Sequence, residues 1–171
     1  MFNGAKYFTF SHMTVRLATG SSAGRIIQFD NSSHYNQLLN NVIETELTTS
    51  SSYAGIYSTG SNDNYNVFAN NHIKNGYYGI YWRGNSTTDR QLGGVIENNL
   101  IEDFYYYGIY TYYNDSLQII GNKAYPGAHS GTTYGYYIYY TYDGFTIANN
   151  EFFYDDITNS GTKYGFRIYY G

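Results

Sequence analysis

Two short motifs alternate along the whole chain, and this alternation constrains the fold more than any other feature. The first is apolar-x-Asn-Asn-x-apolar. It stands at Leu39-Asn40-Asn41-Val42-Ile43, Phe68-Ala69-Asn70-Asn71-His72-Ile73, Ile96-Glu97-Asn98-Asn99-Leu100-Ile101 and Ile147-Ala148-Asn149-Asn150-Glu151-Phe152. Ile120-Gly121-Asn122 is a degenerate copy, and Phe10-Ser11-His12-Met13-Thr14-Val15 fits the frame without Asn. Positions 12, 40, 70, 98, 122 and 149 then form the first-Asn column. The second motif is Gly followed by alternating apolar residues, usually with Tyr ahead. It stands at Gly55-Ile56-Tyr57, Gly79-Ile80-Tyr81, Gly108-Ile109-Tyr110, Gly135-Tyr136-Tyr137-Ile138 and Gly165-Phe166-Arg167-Ile168, with Gly24-Arg25-Ile26-Ile27 as a first, weakest copy.

Six repeats of 24–31 residues result, each holding at least two short strands. Helical repeats need a 3.6-residue apolar rhythm, and none is visible. Propeller blades need a period of about 40–45 residues. A coil of two or three short strands joined by turns fits, with coils stacked in parallel about 4.7–4.9 Å apart. Composition agrees. Tyr supplies 25 residues and Gly 19, charged residues are only 13%, and Cys is absent. That excludes a disulfide framework and a thiolate metal site. No run of 18 apolar residues exists, so no membrane-spanning helix is expected. With 13 acids against 9 bases, the chain carries no electrostatic footprint for nucleic acid.

The alternation of apolar-x-Asn-Asn-x-apolar with Gly-Ile-Tyr resembles the right-handed parallel β-helix repeat of pectate-lyase-like proteins and of many bacterial surface and secreted proteins. The resemblance covers residues 7–171. It implies an all-β, right-handed parallel β-helix of about six coils. It also implies an extracellular or cell-surface setting, although the N-terminal residues 1–6 do not read as a signal peptide. The fold itself hosts lyases, hydrolases, adhesins and passive stalks.

Each column has a physical reading. Asn41, Asn71, Asn99 and Asn150 sit at a turn, where Asn tolerates left-handed backbone and its amide bonds nearby groups. Stacked amides also bond along the axis. Gly55, Gly79, Gly108, Gly135 and Gly165 mark strand entries that need positive φ or close backbone approach. Alternation then points Ile56, Ile80, Ile109, Tyr136, Ile138, Phe166 and Ile168 inward. It points Tyr57, Tyr81, Tyr110, Tyr137, Tyr139 and Tyr169 outward. Phe10, Ile43, Phe68, Ile73, Ile96, Ile101, Ile120, Ile147 and Phe152 complete the expected core, and Trp82 faces inward or closes a corner. Glu44, Lys74 and Glu102 should form a surface salt-bridge column.

The outward tyrosines are the candidate binding site, a flat aromatic platform against which sugar faces could pack. No catalytic residue, cofactor or metal site is assigned. The family's lyases use clustered carboxylates for Ca²⁺ and a basic residue as proton abstractor; its hydrolases use several Asp on one face. The acidic pairs here, Glu102-Asp103 and Asp155-Asp156, point to opposite faces of a strand and make no ready chelate. His12, His34, His72 and His129 lack zinc-site spacing. His129 and Arg90 fall in long loops, where this fold can place function.

The expectation is therefore one β-helix domain over residues 1–171, a segment of a larger protein or an assembly unit. It is read as a non-catalytic stalk, adhesin or filament unit that binds polysaccharide or a cell-surface ligand through its Tyr face. End-to-end self-association through unpaired strand edges is a second expectation. The alternative is a polysaccharide lyase or glycoside hydrolase fragment.

Overall fold

The repeat resolves into three strands per coil. The computed structural model describes residues 1–18, 20–58, 60, 62–156 and 160–169, and every regular element among them is a strand. The first sheet runs Phe2–Asn3, Gly24–Asp30, Tyr53–Ser58, Tyr78–Arg83, Tyr107–Asp115, Thr133–Thr141 and Lys163–Tyr169, with Gln91–Leu92 pairing beside Asn114 and Asp115. The second sheet stacks Thr9–Ser11, Gln37–Leu39, Val67–Ala69, Val95–Glu97, Gln118–Ile120 and Thr146–Ala148. The third stacks Thr14–Arg16, Val42–Glu44, His72–Lys74, Leu100–Phe104, Lys123–Pro126 and Glu151–Phe152. All pairings are parallel, as a solenoid of about six coils requires.

Inward residues stack on their equivalents. The first sheet contributes Ile27, Ile56, Ile80, Ile109, Tyr136 and Phe166. The second contributes Phe10, Leu38, Phe68, Ile96, Ile119 and Ile147, and the third Val15, Ile43, Ile73, Ile101, Ala124 and Phe152. Trp82 is buried at the corner, edge-on to Phe29 and Phe68. Phe166 and Ile168 keep the inward register but are exposed, because Lys163–Tyr169 is the edge strand of its sheet.

The turn between the second and third sheets explains the Asn-Asn pair. Asn40, Asn70, Asn98 and Asn149 adopt φ of 52–57°. That left-handed residue swings the chain from one sheet into the next. The second asparagine of each pair is turned inward. Asn71 Nδ2 donates to the Leu38 carbonyl at 2.8 Å and to Asn99 Oδ1 at 3.0 Å. Its own Oδ1 accepts from the Asn41 backbone N–H and from Asn41 Nδ2. The same pattern repeats at Asn41, Asn99, Asn122 and Asn150. Burial makes each such bond obligatory, since an unpaired buried amide costs about 1–3 kcal/mol.

The degenerate copy is corrected here by one residue. Gly121, with φ 67°, takes the left-handed position, and Asn122 belongs to the buried ladder. The same shift puts Ile119, not Ile120, in the core. A glycine substitutes for Asn in the left-handed turn at no steric cost, so the amide signal alone misplaced the frame.

The glycine column works by close approach. A Cβ on Gly55, Gly79, Gly108 or Gly135 would lie 2.6–2.8 Å from the carbonyl oxygen of the next glycine in the column. None of the four has positive φ. The first copy is also reframed. Gly24 pairs with Tyr53 and Ile27 with Ile56, so Ile26 rather than Gly24 stands at the column position.

The surface charge column keeps its register but not its pairing. Glu44, Lys74 and Glu102 are in line. Glu44 instead meets Arg16 at 2.8 Å, and Glu102 meets His72 at 2.6 Å. Arg16 stands in register with Glu44 in the preceding coil, and His72 reaches Glu102 diagonally.

Candidate functional site

The outer surface of the first sheet is tiled with tyrosine because each strand places an outward Tyr at the same register. Tyr57, Tyr81, Tyr110 and Tyr137 form one column, with ring centroids 4.8, 4.8 and 5.4 Å apart and interplanar angles of 5–15°. Gln28 precedes this column and Arg167 follows it. Tyr139 and Tyr169 belong to a neighbouring column with Tyr112. Tyr112 and Tyr139 stack at 4.9 Å, while Tyr139 and Tyr169 meet edge to face. The structure thus brings all six expected tyrosines to one surface, in two columns.

A third column completes the surface. Tyr78, Tyr107, Tyr134 and Tyr164 stack at 5.2, 5.3 and 4.9 Å. Tyr78 shares parity with the inward Ile80, so strict alternation sends it inside. The register passes from Tyr78 to Ile80 across Gly79, and Tyr78 emerges edge-on to Tyr81 at 4.8 Å. Its signal in the sequence is the recurring Tyr immediately ahead of Gly.

Ring orientation changes what this surface offers. Rings within a column lie face on face, so their flat sides are spent on one another. Between the column of Tyr107 and Tyr134 and that of Tyr110 and Tyr137 the rings meet at steep angles, whereas Tyr110 and Tyr112 lie nearly parallel with centroids 6.3 Å apart. The flat sides of these rings are thus largely covered by one another, and Tyr57 and Tyr134 are themselves buried. Aromatic pairs in such contacts contribute about 0.5–1.5 kcal/mol each beyond burial.

Arginines close the columns. The Arg25 guanidinium lies 3.7 Å from the Tyr57 ring centroid, and Arg83 lies 5.4 Å from that of Tyr112. Arg167 sits among Tyr134, Tyr137, Tyr164 and Tyr169 and bonds the Tyr134 hydroxyl at 2.6 Å. A cation over an end ring uses a face that no further tyrosine covers.

Burial, then neighbouring phenols, push Tyr78, Tyr107 and Tyr110 well above the usual tyrosine range. They remain neutral and keep both donor and acceptor capacity at ordinary pH. The folded state favours the protonated phenol, so this stability is complete below about pH 10, the ordinary tyrosine value, and is lost as pH rises further. Alkaline titration followed by circular dichroism should show cooperative unfolding above about pH 10 rather than independent phenol ionisation.

A further tyrosine ladder was missed in the sequence. Tyr7, Tyr35 and Tyr65 stack at 5.0 Å with interplanar angles of 1° and 5°. All three have positive φ and are exposed. The available signal was in-phase Tyr five residues before the Asn-Asn pairs at 40 and 70. Behind it, Asn36 and Asn66 form a second buried amide ladder. Their spacing parallels the first ladder and was equally open to reading.

At the same corner Asp63 is fully buried. Its Oδ2 accepts from the Ser58 hydroxyl at 2.6 Å and its Oδ1 from the Ser33 N–H at 2.8 Å. Burial raises the carboxyl above its ordinary range against the opposing pull of those hydrogen bonds. The folded state then prefers the protonated form. Its stability is highest below about pH 3.9, the ordinary Asp value, and falls as pH rises toward the raised value. Asp63→Asn should remove that fall. Urea denaturation at pH 4 and pH 7 should show a smaller loss of stability on raising pH than in the wild type.

The other singled-out residues have structural partners. His129 stacks on Tyr105 at 4.3 Å, accepts from the Gly131 N–H and bonds the Thr133 hydroxyl. Burial and the nearby Lys163 lower its pKa. Arg90 pairs with Asp115 at 3.2 Å and covers the Tyr142 ring. Glu102 is engaged by His72, while Asp103 and Asp155 are exposed. Among the described residues no group of three or more His, Asp or Glu gathers that could hold a metal ion.

A family model for the right handed beta helix region matches residues 2–171. No curated protein and no solved structure matches the chain.

Proposed function

Since the chain belongs to the right-handed β-helix family, we propose that it is a non-catalytic, extracellular solenoid segment whose tyrosine face binds a polysaccharide. The observation that carries this reading is the set of three adjoining tyrosine columns, each repeating along the axis at one strand spacing. A pyranose unit in an extended polysaccharide advances by a similar length. Successive sugars can therefore meet successive rows of phenol hydroxyls in the same way. Neutral phenols and closing arginines supply donors, and the hydroxyls also accept. Ring edges supply apolar contact to sugar C–H groups. Stacking fixes the rings beforehand, so little side-chain entropy is lost on binding.

Tyr81→Ala/Tyr110→Ala removes the middle of one column. Retention in polysaccharide-loaded affinity gels should fall several-fold in this variant relative to the wild-type chain. Unchanged retention would sink the reading. The stalk or filament role is the mechanical side of the same proposal: a parallel solenoid presents its repeated face along a rod.

A further inference from the structure

Where strand Tyr107–Asp115 ends, the surface opens into a cavity of about 290 Å³ lined by Asn62, Thr88, Asp89, Arg90, Leu92 and Asp115. It adjoins the Tyr65 end of the second tyrosine ladder. The Tyr65 N–H donates to the Leu92 carbonyl at 2.7 Å, and the Tyr65 ring lies against Gly93, where a Cβ would fall 2.4 Å from Cδ1. Glycine at 93 thus ends the ladder and leaves room for the Tyr65 ring.

The walls are held in place. Arg90 Nε donates to the Thr87 carbonyl, and its Nη1 donates to Asp115 Oδ2. The guanidinium lies 3.4 Å from the Tyr142 ring centroid. Asp115 Oδ1 also accepts from the Ser116 hydroxyl, and Asp89 Oδ2 accepts from Asn85 Nδ2 at 3.0 Å. The Leu92 N–H donates to Asn64 Oδ1, and Leu92 itself is exposed. A fixed guanidinium fork, two carboxylates and an amide therefore face one small space beside an apolar side chain.

We propose that this cavity is a glycan subsite, separate from the tyrosine face, that takes one uncharged sugar residue. Vicinal sugar hydroxyls both donate and accept, which suits the fixed array of carboxylate, guanidinium and amide groups. Leu92 meets the C–H side of the ring. The volume lies at the bottom of the range of about 300–1,000 Å³ usual for small-molecule sites, so it suits a single ring rather than a branched group. Two carboxylates against one guanidinium give the cavity a net negative charge. That opposes uronate or sulfate groups, which would meet Asp89 and Asp115.

The test is calorimetric titration of the whole chain with cellohexaose, mannohexaose and a galacturonate hexamer. At least one neutral hexaose should bind, and the galacturonate should bind at least about tenfold more weakly. Asp115→Asn should weaken the neutral ligand about tenfold or more. Asn62→Gly should also weaken it, while keeping the left-handed backbone that position adopts (φ 56°). The exposed site of Asn62 keeps the test valid if Asp115→Asn disturbs the fold. Combining Asn62→Gly with Tyr81→Ala/Tyr110→Ala should weaken polysaccharide binding further than either change alone, which separates this site from the tyrosine face. Failure of both neutral hexaoses to bind, unchanged affinity in Asn62→Gly, or tighter binding of the galacturonate would overturn the assignment. Loss of gel retention in the tyrosine variant without hexaose binding by the wild type would leave the tyrosine face standing and the subsite refuted.

Discussion

Asn71→Ala should destabilise the protein by about 3–5 kcal/mol, a large share of the 5–15 kcal/mol typical of a folded domain. Asn71 is 2% exposed and lies mid-ladder. Its loss strips the Asn41 backbone N–H of its acceptor and removes the side-chain donor from the Leu38 carbonyl. It also breaks the amide chain on both sides, at Asn41 Nδ2 and at Asn99 Oδ1. A methyl group restores none of these bonds, and the coil stacking leaves little room for water. The adjacent Asn70 has a different role. It is exposed and only has to hold φ at 56°. Asn70→Gly should therefore stay within about 1 kcal/mol of the wild type, because glycine adopts that conformation freely. Urea denaturation of the two variants side by side measures the contrast. Equal losses would mean that the buried ladder carries no special weight.

Gly79→Ala should cost at least about 3 kcal/mol, at the severe end of overpacking. The added Cβ would sit 2.6 Å from the Gly108 carbonyl oxygen and 2.4 Å from Ile101 Cγ2. The first obstacle is backbone, which cannot rotate aside, and moving it would displace the next coil. Gly165→Ala in the edge strand is the control. Its Cβ would meet only the Phe152 side chain, at 3.3 Å or more. That change should cost under about 1 kcal/mol, since the phenyl can give by a few tenths of an ångström. Thermal melts of both variants decide between close approach and a role for glycine at strand entry. The second role predicts equal effects at both positions.

The sequence showed its coils because identical residues recur where identical environments recur. Asn71 and Gly79 are legible for that reason: no other residue type satisfies the buried turn or the backbone contact. Legibility failed where two residue types serve one position. Gly121 replaces an asparagine in the left-handed turn, and the frame slipped by one residue there. The six outward tyrosines were found by alternation, and the structure gathers them. Alternation could not find Tyr78, Tyr107 and Tyr134, because the chain passes a glycine before regaining its period. Nor could it give ring orientation. That follows from the stacking distance between coils, which turns the flat sides of the rings along the axis. The cavity at Arg90 and Asp115 had no periodic signal. Its walls come from non-repeating corner residues of different coils, and only the fold brings them together.

The most direct measurement is NMR of the chain with tyrosines labelled at the hydroxyl-bearing ring carbon, titrated with a polysaccharide that retains it in gels. Tyr136 is the internal control, fully buried with its hydroxyl bonded to the Asn122 carbonyl at 2.7 Å. The account predicts shifts at Tyr81, Tyr110, Tyr137 and Tyr139 that saturate together while Tyr136 stays fixed. Shifts absent from all four while the chain still binds would contradict it and move the binding surface elsewhere on the solenoid.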